Sequence, residues 1–159
     1  MAEYRWSSLA IRSLHSMLVA QVPAELRLVE TEEERPAGTL LDPRNISRSR
    51  QPAQNYSPFI QVYDRGFQFQ VQKCRVAVVQ CEVSLSWTVS PDLDQTEDFC
   101  RAWQNAVIEA IIQNPRLDGS PGIIAAIVTG GEAGLTAIDD SQIRHMKLIS
   151  VDVHVHSKR

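Results

Sequence analysis

Cysteine is scarce in this chain. Cys74, Cys81 and Cys100 are the whole set. An odd number excludes a fully paired disulfide framework, and none of them shows the C-x-x-C spacing of a zinc or redox site. They read as small apolar residues of a reduced compartment, Cys100 in a helical stretch and the other two in strand-like sequence. An excess of charge of one sign is missing too. Sixteen Lys and Arg against nineteen Asp and Glu leave a net charge of −3, no strong electrostatic footprint for nucleic acid or an anionic membrane. Long apolar runs are also absent. Arg5 and Arg12 punctuate the N-terminal stretch, and no segment reaches the roughly eighteen apolar residues of a membrane span. The expectation is a soluble protein made in a cytoplasm, with no signal peptide and no membrane partner. Lysine is the last shortage: three Lys stand beside thirteen Arg. Arginine makes planar, bidentate and stacked contacts and sheds water more readily than lysine, so the imbalance points to protein interfaces.

Active-site motifs are lacking as well. There is no G-x-S-x-G, no H-E-x-x-H and no cysteine beside a local base. The stretch Thr129–Gly134 has the glycines of a phosphate loop without the following Lys-Ser/Thr, and reads as a hairpin turn. His15, beside Arg12 and Ser16, and His145, near Arg144 and Lys147, read as surface residues. One triplet has metal-like chemistry: Asp152, His154 and His156 alternate along a strand and so share a face. Two imidazoles with a carboxylate form a zinc ligand set. The competing reading is the polar side of a strand whose other side is Val151, Val153 and Val155, close to the chain end. The expectation is no metal, no cofactor and no catalysis, with a small metal-dependent enzyme as the alternative.

What is present suits one domain over residues 1–159. The chain is 43% hydrophobic, and at this length a fold buries roughly 70% of its unfolded surface without metal or disulfide support. Ala10, Leu14, Met17, Leu18 and Val22 predict an amphipathic helix from Ser7 to Val22, ended by Pro23. Glu25-Leu26-Arg27-Leu28 alternates like a short strand. Residues 32–57 carry Pro36, Pro43 and Pro52 among Ser, Asn and Gly and predict a long loop or arm. Its charge is separated, with Glu32, Glu33 and Glu34 at the start and Arg44, Arg48 and Arg50 near the end. It reads either as an arm that orders on a partner or as plain disorder.

From Pro58 the pattern turns to β. Phe59–Tyr63 predicts a strand and Asp64-Arg65-Gly66 a turn. Phe67, Phe69 and Val71 then alternate with Gln68, Gln70 and Gln72, and Val79, Cys81, Val83, Leu85, Trp87 and Val89 with Gln80, Glu82, Ser84, Ser86 and Thr88. The second face is neutral more than charged, which suits either a subunit contact or an ordinary half-exposed hairpin. Asp94 with Glu97 starts a second helix. Phe99, Trp103, Ala106, Val107, Ala110 and Ile111 form its core stripe, and Pro115 with Leu117-Asp118-Gly119 stops it. Ile123–Val128, a partial strand at Leu135–Ile138 and a final strand from Met146 to Val155 complete the chain. The fold class expected is α+β: a mostly antiparallel sheet of four to five strands with two helices on one face.

The succession of segments resembles the tail-terminator and neck proteins of long-tailed bacteriophages over most of the chain. The residues that carry the likeness are the Pro-led strand Ser57–Tyr63, the long strand Cys74–Val83, the amphipathic helix Phe99–Ile112 and the closing strand Lys147–His156. The resemblance implies a structural virion protein, not an enzyme, that forms a hexameric ring on the tail tube and joins it to the head's neck. A head-completion or connector protein at the same junction is the nearest alternative. Implied partners are further copies of the chain, the tail-tube protein and the neck protein. On this reading Arg44, Arg48 and Arg50 pair across the ring with a neighbour's Glu32, Glu33 and Glu34, or less favourably meet lumenal DNA.

Overall fold

The computed structural model describes residues 2–43, 45–48, 58–69, 76–88, 93–139 and 142–156. Two helices, α1 (Ala2–Glu32) and α2 (Leu93–Gln113), pack on a sheet of β1 (Asn45–Ser47), β2 (Phe59–Phe69), β3 (Val76–Thr88), β4 (Ile123–Asp139) and β5 (Gln142–His156). The spatial order is β1-β2-β3-β5-β4, with every pairing antiparallel except β1 with β2. The fold is α+β, as the sequence pattern implies.

The core lies between the helices and one sheet face. Alternate residues of β3, Val79, Cys81, Val83 and Leu85, are buried against Val151, Val153 and Ile149 of β5 and Ile60 and Val62 of β2. From the helix side come Leu14, Leu18, Val22 and Leu26 of α1, and Trp103, Val107 and Ile111 of α2. Trp87 and Trp103 meet edge to face at 5.8 Å, and Trp6 packs similarly on Phe69 at 5.0 Å. Both arrangements suit the quadrupoles of the rings. Cys81 and Cys100 are buried and free. Burial pushes both thiols up to about 12, so they act as packing residues and not as nucleophiles.

Four sequence expectations are corrected. Pro23 does not end the first helix, and residues 25–28 are not a strand: α1 runs through them for 31 residues. Proline costs the helix one hydrogen bond, to the Val19 carbonyl, but Val19 is half exposed and water can serve that carbonyl. Beyond it, Leu26 and Val29 continue the apolar stripe of Val22, and all three are buried. Asp64-Arg65-Gly66 is not a turn but a bulge within one continuous strand, where the β2–β3 register shifts between Asp64 and Gly66. Gly66, at φ 145°, supplies a conformation that side chains resist. The segment Thr129–Gly134 is likewise strand with bulges and not a hairpin turn. A Cβ on Gly131 would run into the Leu148 carbonyl oxygen, so this position takes a glycine for close approach.

The fourth correction concerns the arm. Its first half is tied down. Glu32 is the last residue of α1, and Glu34 takes a left-handed conformation at φ 54°. Arg35 N donates to Glu30 O at 2.7 Å and Glu34 N to Thr31 O at 3.2 Å, the bonding of a Schellman helix end. The Glu30 carboxylate then accepts from Gly38 N at 2.9 Å and Leu40 N at 2.8 Å. Leu40 is buried, its carbonyl accepting from Arg27 Nη2. His15, expected at the surface, is half-buried and shares a hydrogen bond of 2.8 Å with the Ile46 carbonyl, which secures β1. Residues 49–57, with Arg50, and Arg44 lie outside the described residues.

Candidate functional site

Two clefts flank α1, one basic and one acidic. The basic cleft, about 740 Å³, lies between the N-terminal half of α1 and β2 and is lined by Arg12, Arg48 and Arg65. Arg65 is held at 2.8 Å by Glu82. Arg12 and Arg48 are exposed and have no acidic partner among the described residues. Asp64 is the single carboxylate among the described lining residues, and Ser7 and Ser8 add hydroxyls.

The acidic cleft, about 470 Å³, lies between the C-terminal half of α1 and α2. Glu25 and Glu32 of α1, with Glu33 just beyond it, face Glu109 of α2 across the cleft, with Leu28 and Ile108 supplying apolar surface. Glu33 is answered by Arg35, whose Nε lies at 2.5 Å. Glu25 is only 7% exposed, and among the described residues no hydrogen bond or ion pair reaches it. Burial raises the Glu25 pKa above the ordinary glutamate value, and the neighbouring charges of Glu109 and Glu32 raise it further. A buried carboxyl among like charges disfavours its ionised form until a cation arrives.

Glu30, one turn from Glu25, behaves in the opposite way. Burial raises its pKa, but the Gly38 and Leu40 amides and the Arg27 charge outweigh burial and hold the carboxyl below its ordinary value. Arg27 approaches Glu30 at 3.3 Å and Asp42 at 3.2 Å. This carboxylate is structural, tying the helix end to the segment after it.

A second buried pair crosses the core. Lys147 of β5 sits on the helix-facing side of the sheet, 2% exposed, and its Nζ lies 2.9 Å from Glu97 of α2. Arg101 meets the same carboxylate at 3.5 Å. On the other sheet face, Glu82 is equally buried and accepts from the Tyr63 hydroxyl as well as Arg65.

The sequence-derived residues fall as follows. Glu32 and Glu33 line the acidic cleft and Arg48 the basic one. Glu34 forms the helix end and lines neither. Gln68 is exposed on β2, while Gln70 and Gln72 lie outside the described residues. Asp152 and His154 are half-buried and His156 is exposed. Among the described residues no three His, Cys, Asp or Glu side chains converge as a metal set. No described helix is long and apolar enough to cross a membrane. Sequence reasoning missed Arg12, Glu25, Arg65 and Glu109 as cleft residues. Glu25 and Glu32 stand two helical turns apart, a same-face signal legible only if the helix is read through Pro23.

No protein-family model matches the chain, and no curated protein matches it.

Proposed function

We propose that the chain is a structural assembly subunit: a ring-forming virion protein that ends the tail tube of a long-tailed bacteriophage and joins it to the neck. The tail-tube and neck proteins are its partners along the particle axis, and further copies of the chain are its partners around the ring. It uses no cofactor.

The observation that carries the reading is the outer edge of the sheet, which no described strand pairs with. β4 is an outermost strand of 17 residues. It contains no Lys, Arg or Pro, and its guards against pairing with another chain are Glu132, Asp139 and three bulges. Ile124 and Ile127 on it are 43% and 48% exposed. In a protein that works alone such an edge is a hazard; in an assembly subunit it is a place for a partner. The order of a Pro-led β2, a long β3, α2 and closing strands after the first helix is in line with the resemblance, although the short strand expected at residues 25–28 is part of α1.

Ile127→Lys tests the edge. The variant keeps its stability within about 0.5 kcal/mol, because the side chain is half exposed, yet fails to enter particles when it replaces the wild-type chain. Mass spectrometry of purified particles reads both outcomes. Absence of the wild-type chain from those particles overturns the proposal.

A further inference from the structure

We infer that neighbouring copies of this chain join head to tail through the two clefts of α1, the basic cleft of one copy seating on the acidic cleft of the next. The inference rests on the ring reading and assigns its lateral contact. A closed ring needs two different, complementary patches on each subunit, facing in different directions. The two clefts meet that requirement. One lies between the N-terminal half of α1 and β2 and the other between the C-terminal half of α1 and α2, hence towards opposite ends of the helix. Arg12 and Glu25 are about 20 Å apart along its axis.

The charges are opposite in sign, two unpaired arginines against three carboxylates. Arg12 and Arg48 are exposed cations with no acidic partner among the described residues. Glu25, Glu32 and Glu109 are carboxylates that no hydrogen bond or ion pair answers among the described residues. Glu25 is the second, independent sign of a ligand. The residue is 7% exposed and lines the cleft, and burial with the charges of Glu109 and Glu32 disfavours its ionised form. A guanidinium supplies both charge and donors, and it loses water at less cost than an ammonium. Leu28, 52% exposed in the same cleft, gives the contact an apolar centre inside a charged rim. A second copy of the chain supplies the arginines. A small cation would neutralise the acidic cleft but leave Leu28 in water.

Charge reversal in full-length protein tests this. One variant carries Arg12→Glu with Arg48→Glu, the other Glu32→Lys with Glu109→Lys. All four side chains are exposed, and circular dichroism with thermal melting checks that both variants fold. Sedimentation over a wide concentration range and electron microscopy read assembly. The wild type forms closed rings at high concentration, and added salt weakens them. Each variant alone associates at least about tenfold more weakly. An equimolar mixture of the two forms rings again, because each reversed cleft now meets its opposite, and those rings hold an even number of subunits. Variants that assemble as the wild type does, a mixture that fails to recover, or a wild type that stays monomeric at every concentration each overturn the inference. The ring reading fails on a different measurement, the composition of purified particles, so the two failures are distinguishable.

Discussion

At the scale of single residues, two glutamates on one helix illustrate how surroundings set the sign of a charge's effect. Glu30 has its pKa lowered: burial opposes ionisation, but two backbone amides and Arg27 favour it more. Its stabilising contribution is therefore complete above the unfolded glutamate value and is lost as pH falls through the depressed folded value. Glu25 has its pKa raised by burial, Glu109 and Glu32. Its contribution is complete below the unfolded value and is lost as pH rises through the raised folded value. Glu25→Gln should thus raise the melting temperature at neutral pH and flatten the fall in stability above the glutamate range, whereas Glu30→Gln should lower it at neutral pH and have less effect in acid. Thermal melts across pH 3 to 8 decide the signs. Lys147 belongs to the same scale. It is 2% exposed with its ammonium on Glu97. Lys147→Ala should cost about 3 kcal/mol by leaving Glu97 short of a partner and opening a void, while Lys147→Met with Glu97→Gln should be near neutral, both read by urea unfolding.

At the scale of elements, helix ends and strand bulges carry the unusual backbone. Glu34 holds a left-handed conformation at φ 54° where glycine is the common residue. A side chain there costs about 1–2 kcal/mol. Glu34→Gly should recover about 1 kcal/mol, less the extra freedom that glycine gives the unfolded chain. Unfolding in urea that shows a loss instead would mean that the Glu34 side chain contributes something the helix end alone does not. The bulges of β2 and β4 act differently. Each inserts residues without ending the strand, so β4 stays paired with β5 from Ile123 to Asp139. They re-aim the edge while Ile124 and Ile127 remain exposed on it.

At the scale of the whole molecule, stability is distributed by position in the sheet. β3 is flanked by β2 and β5 over nearly its full length, and its helix-facing side chains are fully or almost fully buried. β1 pairs through three residues at the opposite edge from β4. Amide hydrogen exchange should be slowest in β3 and its neighbours on β5, and fastest in β1 among the strands. The amides of Gly38 and Leu40 should exchange slowly for loop positions, because they donate to Glu30. Fast exchange at those two amides would contradict the tie between α1 and the segment after it.

The sequence by itself determined the fold class, the position of α2 and the inward face of β3. Those signals are local: a 3.6-residue or two-residue period in apolar side chains is complete within one element and needs no partner to be read. Tertiary structure decided where elements join. Residues on both sides of Pro23 form one helix because Leu26 and Val29 find the core formed with α2 and the sheet. The motif Asp64-Arg65-Gly66 and the glycines of β4 become bulges because long partner strands lie beside them. Local turn propensity yields there to a ladder of non-local hydrogen bonds. The clefts were beyond the sequence for the same reason. Glu25 and Glu109, or Arg12 and Arg48, are far apart in the chain, and only the packing of α1 between β2 and α2 brings each pair to one surface.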